Sequence, residues 1–407
     1  MQPKPPLWVM GVANAPYGAV NGFITTAIPI LLRAQGVSVA EIAGIISIAI
    51  SPLFWIFVLS PVLDVRFSKK IYSVFFALLA ASCIFLSVFF LHDLRILTLL
   101  LVAAYSAATL YHYALFSWLT QIMEDHHYAP IASICEITNL GALGAFGAIS
   151  VWLIRSFSAP VAGLTLAAIF LLPPALLLFF PAAAIPTRRI QVVFNTFFRD
   201  LYTLLKQRRC RYGLLIFLAP ICSFALPFAS VGPEFHTTER WMTLINGPGA
   251  SIACGLGCIL AIFISRHVTP RMSYILTGLV AAMVTGAMMP AARTMAVFAV
   301  GRLLYSVLQG INFTVFTALL YQIVGRNNPL AGTQLSLLNA SSCLPIVYMT
   351  ALDGVGFQHG GMNGMLAMDT FVAVATCIPI LLFFHHVHRT GREAQPQPLP
   401  ALGELPA

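Results

Sequence analysis

Charge is what this chain has least of: Asp, Glu, Lys and Arg together make up only 9% of its 407 residues. A soluble domain carries about 25%, so this composition cannot cover a globular surface with solvated groups. Acids are scarcer than bases, 13 against 22, but the net charge of +9 rests on too few groups to indicate a nucleic-acid partner. It reads instead as a signature of membrane topology. There is no GxxxxGK[ST] loop, which argues against ATP hydrolysis, and no HExxH pair. The eight cysteines show no zinc-ligand spacing, and the HHVH run at 385–388 reads as interfacial, so no metal, disulfide or cofactor is expected. No long polar stretch occurs that would form a soluble sensory domain.

What fills the chain is apolar: 59% hydrophobic residues and a mean hydropathy of +0.88. About 20 residues cross ~30 Å of hydrocarbon as a helix. That ruler marks twelve spans near 7–32, 42–63, 71–91, 96–121, 131–154, 161–183, 212–234, 244–264, 274–290, 295–322, 331–352 and 365–384. Lys4 precedes the first span and no small-residue cleavage pattern follows, so that span is expected to be retained. With both termini cytoplasmic, only Arg33, Arg95, Arg155, Arg240 and Arg293 fall outside, and Arg302 alone lies within a span. All other basic residues are inside, the bias expected of cytoplasmic loops.

The longest polar interruption is 184–211, which holds Arg188, Arg189, Arg199, Lys206, Arg208, Arg209 and Arg211 against the single acid Asp200. Within it Phe194, Phe197, Phe198, Leu201 and Leu205 recur at helical spacing, which predicts an amphipathic helix on the membrane surface. A shift of about 200 residues superposes Arg66 on Arg266, Ser73 on Ser273, Tyr105 and Ser106 on Tyr305 and Ser306, Phe116 on Phe316, and Asn139 on Asn339. These matches fall at corresponding places in each half, the mark of a duplicated six-span unit. The expected organisation is an N-terminal bundle over 1–183, a basic cytoplasmic linker over 184–211, a C-terminal bundle over 212–385 and a disordered cytoplasmic tail over 386–407. The chain is expected to act as a monomer.

Polar groups inside spans are expensive and mark function or pairing. Arg302 lies about eight residues into the tenth span, roughly 12 Å from its outer end. Two readings stand: a site for an anionic group of a substrate, which guanidinium grips bidentately, or a structural partner for Asp369, Glu234 or helix-end carbonyls. Glu136 in the fifth span is the proton-coupling candidate, with pairing to basic residues of the linker as the alternative. His112 in the fourth span is either a proton relay or substrate ligand, or a packing residue. Asp369 and Glu234 read as span-boundary residues. Asn14, Tyr17 and Asn21 share one face of the first span, Tyr105 and His112 one of the fourth, and Tyr305, Gln309 and Asn312 one of the tenth. Pro220, Ser223 and Pro227 predict a bend in the seventh. Asn139 and Asn339 read as helix-to-helix hydrogen bonds, and the glycines from Gly141 to Gly147 as allowing close packing. Asp64 ends the second span in SPVLDVRFSKK, 60–70, where it can accept hydrogen bonds from a neighbouring helix N-terminus or an arginine; Asp64 and Arg66 are the gate candidates.

The six-plus-six layout, the basic central loop and this acid-then-basic turn resemble the major facilitator superfamily. Ser60 and Phe67 stand where that family usually has glycine, and the second copy, SRHVTPR at 265–271, lacks the acid. The resemblance implies an all-α membrane fold of twelve transmembrane helices in two six-helix bundles, with spans one, four, seven and ten lining a central cavity. Within the superfamily, PYGAVNGFITTAIPILLRAQGVS from Pro16 and SPLFWIFVLSPVLD from Ser51 are similar to the branch of muropeptide permeases, acetyl-CoA transporters and siderophore importers. That likeness implies proton-coupled uptake of a small organic solute, anionic ones included, across a bacterial inner membrane. The substrate-site candidates are then Asn14, Tyr17, Asn21, Tyr105, His112, Arg302, Tyr305, Gln309 and Asn312. The alternatives are proton-driven export of amphipathic compounds, or a non-transporting membrane receptor or scramblase; no enzyme activity is expected.

Overall fold

The computed structural model describes residues 6–37, 39–65, 67–122, 127–179, 190–225, 227–229, 231–325, 328 and 330–389. Among them every regular element is helical, the form in which an apolar chain satisfies its own backbone in lipid. Among the described residues nine helices are long and apolar enough to cross a membrane. One of these, Ala331–Arg389, is two spans, because Gly360 and Gly361 leave helical geometry between them. Gly361 has φ 57°, a left-handed value that glycine adopts without steric cost. Broken helices make the second span, over 39–64, and the seventh, over 208–235, which completes the twelve expected.

The breaks have local causes. In the first span, Leu7–Val12 and Ala15–Gly22 are separated at Ala13 and Asn14, just before Pro16, whose missing N–H cannot continue the ladder. Pro52 and Pro61 divide the second span into Val39–Ile50, Pro52–Trp55 and two 3-10 turns ending at Asp64. The expected bend of the seventh is a full interruption: Arg208–Phe217 ends short of Pro220, and Cys222 takes φ 55° before the chain resumes as 3-10 turns. The eighth span widens into a π-turn over Ile245–Gly249, ahead of Ala250–Ile264. By contrast the fourth, Leu94–Ile122, and the tenth, Met295–Val324, run unbroken. Each opens on a side-chain cap, Asp93 accepting from the backbone N–H of Ile96 and Thr294 from that of Val297.

The two halves repeat one another in their helix starts: Lys69 and Pro270, Leu94 and Met295, Tyr128 and Ala331 open the third and ninth, fourth and tenth, fifth and eleventh spans. Within the first half, the backbone at Gly18 and Gly22 lies directly on that of Asn139 and Leu143, where any Cβ would collide with the fifth span. Of the Gly141–Gly147 run, Gly147 alone meets the first span, at Gly22 and Thr26, and nothing approaches Gly141 or Gly144.

Hydrogen bonds join the halves at one end of the bundle. Asp64 accepts from the backbone N–H of Gly332 and Thr333 at 3.1 and 3.0 Å and from the Thr333 hydroxyl at 3.0 Å. Ser336 donates to Ser60 at 2.6 Å, Asn339 to the Tyr113 hydroxyl at 3.0 Å, and Ser133 to the Cys258 carbonyl at 2.7 Å. Phe116 and Tyr128 both stack on Tyr321. This is the end that the distribution of basic residues predicts to be cytoplasmic.

The central helix spans Ile190–Lys206. Phe197 and Leu204 are buried, while Phe198, 80% exposed, forms an open strip with Tyr202 and Leu205. Residues 184–189, Arg66 and the tail from 390 lie outside the described residues.

Candidate functional site

The structure gathers four of the predicted site residues between the first and fourth spans. Asn14 stands at the break before Pro16, is fully buried, and its Oδ1 accepts from His112 Nδ1 at 2.8 Å. Tyr17 stacks on the His112 ring at 4.4 Å between centroids and meets Tyr105 at 6.2 Å. Phe116 covers another side of the same imidazole, at 4.1 Å. Asn21, a turn beyond Tyr17, is half-buried. The cluster is aromatic and holds no carboxylate, lysine or arginine, and Asn14 Nδ2 is buried in it with no partner among the described residues.

A second cluster centres on Arg302. Its Nε donates to Asn246 Oδ1 at 2.9 Å, its guanidinium lies 5.5 Å from the Phe228 ring centroid, and Nη1 is buried without a partner. Asn246 reaches it because the π-turn of the eighth span swings that side chain out of the regular helical stagger. Arg302 therefore pairs with neither Asp369 nor Glu234, as the structural reading had it. No carboxylate lies within ion-pair distance of it among the described residues. One turn on, the Tyr305 hydroxyl accepts from the backbone N–H of Phe224 at 2.7 Å, holding the interrupted seventh span. Gln309 is half-buried, and Asn312 is buried with its Oδ1 unpartnered.

Asp369 corrects its reading as a boundary residue. It is 2% exposed and accepts from the Ser223 hydroxyl at 3.1 Å and the Thr285 hydroxyl at 2.9 Å. Asp353 in the eleventh span, which the sequence reading missed, is fully buried with neither carboxylate oxygen partnered. Its position on the helix could have been read only as another acid near a span end, since the kink at Gly360 that sets its depth is not evident in composition.

Glu136 lies on the seam between the halves. Its Oε1 accepts from the hydroxyl of Thr317 of the tenth span at 2.7 Å, so among the described residues its partner lies across the interface. At the joined end, Lys69 makes the ion pair with Asp64 at 2.7 Å and also donates to the Leu63 carbonyl. Asn339 bridges helices through Tyr113, while Asn139 is buried against Gly18 with its Oδ1 open. Among the described residues no group of three or more His, Cys, Asp or Glu is placed to hold a metal ion.

No protein-family model and no curated protein matches the sequence. Solved structures do match the fold. The E. coli fucose:proton symporter FucP aligns over 92% of this chain and 98% of its own at TM-score 0.72 and 12% identity. A bacterial homologue of the iron transporter ferroportin, in its outward-facing state, aligns over 93% and 98% at TM-score 0.68 and 13% identity. The proton:xylose symporter XylE aligns over 93% and 95% at TM-score 0.66 and 13% identity. The chain is thus a multi-pass membrane protein with the major facilitator fold.

Proposed function

We propose that this chain is a secondary active transporter of the major facilitator superfamily, which moves a small organic solute carrying an anionic group by alternating access. The observation that carries the anionic group is Arg302: a guanidinium set into the tenth span, anchored on one edge by Asn246, with a second nitrogen buried and unpartnered. A cation left this way in the interior is a liability unless something negative visits it. Bidentate recognition of a carboxylate or phosphate uses just such an anchored fork. The solute class implied by the first two spans, muropeptides, ferric siderophores or acyl-CoA compounds, carries such groups.

The conformation supports the same reading. Asp64, a carboxylate docked on the first turn of the eleventh span, uses the partial positive charge of a helix N-terminus as its latch. With that end cytoplasmic, the seam is closed on the cytoplasmic side, and opening inward requires Asp64 to leave Gly332 and Thr333 while keeping Lys69. Glu136 sits where the seam must part, between the fifth and tenth spans, and a carboxyl that loses the Thr317 hydroxyl on opening meets a different solvent on each side. We infer from this a proton-coupled carrier; uptake across a bacterial inner membrane is what the likeness of the first two spans implies for it. A thermal-shift screen of the purified protein against the three solute classes tests the proposal, since a ligand stabilises the state it binds. A concentration-dependent stabilisation by an anionic member, absent with its neutral ester or amide, is the expected result. Stabilisation by neutral compounds alone would reject the anion site.

A further inference from the structure

The C-terminal half buries two carboxylates, Asp369 and Asp353, and among the described residues neither has a base as partner. Asp369 is held by Ser223 and Thr285 hydroxyls, and Thr285 in turn lies 3.0 Å from the Thr370 hydroxyl. Asp353 is fully buried and hydrogen-bonds nothing. Their places in the fold are matched. The eleventh and twelfth spans form a hairpin about Gly360 and Gly361, and each aspartate stands eight residues from Gly361, so both lie about 12 Å along their helices from the turn. The faces match too. Gly356 packs against Gly364 and Met368, so the helices touch there, and Asp353 is one turn from Gly356 on the same face.

Two carboxylates desolvated together cannot both stay ionised without a compensating positive charge. We propose that this pocket binds a sodium ion, held by Asp369, Ser223 and Thr285 beside the otherwise unpartnered Asp353. The donors are carboxylate and hydroxyl oxygens, the hard ligands that an alkali cation takes and that transition metals do not prefer. The seventh span is interrupted at Cys222 beside Ser223, the irregular backbone at membrane depth that membrane proteins tolerate where it lines a cavity or ion site. Tyr305, which fixes that interruption through Phe224, ties the pocket to the helix that carries Arg302. The inference rests on this polar cluster alone and stands or falls independently of the solute reading.

The test is thermal unfolding of the purified full chain, with sodium chloride replaced stepwise by choline chloride at constant pH and ionic strength. The midpoint is expected to rise by several degrees and to saturate with sodium. The rise should vanish in Asp369→Asn and Asp353→Asn and persist in Glu234→Gln, a change at an exposed acid of the same half. Should an aspartate variant fail to fold, Thr285→Ala provides the milder arm, expected to raise the half-saturating sodium concentration about tenfold, as loss of one good polar contact does. Sodium independence of the wild-type midpoint, including a midpoint that follows pH alone, would overturn the proposal in favour of a shared proton. A sodium response retained in both aspartate variants would overturn it as well.

Discussion

The two halves descend from one plan yet carry opposite kinds of polar centre. Tyr105 and Tyr305 occupy equivalent positions in the fourth and tenth spans, and both are almost wholly buried. In the first half the tyrosine joins a stack of Tyr17, His112 and Phe116, in which rings meet rings and the imidazole has its amide partner. In the second half it props a broken helix, in a bundle that also holds an arginine with an open nitrogen and two carboxylates with no base among the described residues. One centre is largely satisfied by the protein itself; the other leaves donors and acceptors for something the chain does not contain. Unsatisfied buried charge is where a ligand adds most. The C-terminal half should therefore carry recognition, and the N-terminal half the shape of the pathway.

The largest effect expected on that contrast is Arg302→Ala. Truncating one partner of a buried charge pair costs about 2–5 kcal/mol, so affinity for an anionic solute should fall by at least ~30-fold, with Arg302→Lys in between because it keeps charge but loses the fork. The yield of folded protein should hardly change, since no carboxylate of the described residues depends on Arg302. A collapse in yield with unchanged binding by the survivors would make Arg302 structural and erase the difference between the halves. Next in size is Asp64→Asn, which removes the charge from the latch between halves. Breaking a buried ion pair of this kind costs about 3–5 kcal/mol locally, part of which falls on the closed arrangement. Labelling of a Ser336→Cys probe, buried at the seam, should accelerate about tenfold or more; unchanged labelling would show that Asp64 does not hold the seam. Glu136→Gln should alter stability by less than ~1 kcal/mol, because an amide oxygen still accepts from Thr317. It should keep solute counterflow and lose accumulation driven by a pH gradient, and a variant that still accumulates would remove Glu136 from coupling.

Much of the architecture was legible in the sequence, and the reason is the solvent. Lipid permits few structures, so apolar length and the placing of arginines mark spans directly, as Met295–Val324 against the expected 295–322 illustrates. The shift of about 200 residues recurs in helix starts such as Leu94 and Met295. The polar faces of the first, fourth and tenth spans follow from helical period alone. What periodicity cannot give is partners across helices: Asn246 was invisible because a π-turn re-aims it, and Asp353 because its depth depends on a kink at Gly360 and Gly361. Thr317 opposite Glu136, and Gly332 and Thr333 above Asp64, lie about 180 and 270 residues away in sequence. Their roles arise from how the two bundles dock, which no local pattern encodes.

The finest test compares one chemical deletion made once in each half. Asn14 and Asn246 each use an amide oxygen to accept a hydrogen bond from a nitrogenous side chain on a facing helix, His112 at 2.8 Å and Arg302 at 2.9 Å. Interhelical bonds of this kind contribute about 0.6 kcal/mol on average and about 1.7 at most, so both alanine variants should fold with midpoints lowered by a few degrees. Their effects on solute should separate. In Asn14→Ala the imidazole stays clamped between Tyr17 and Phe116, so affinity should hold within about twofold, less than the smallest single-bond effect. In Asn246→Ala the guanidinium loses the anchor that fixes its fork, and the anion must then order Arg302 itself, at roughly 0.5–1.5 kcal/mol for an immobilised side chain. Affinity should fall several-fold with little further change in stability. Equal losses of affinity from the two variants would mean that the aromatic stack also binds solute, and that the halves share recognition after all.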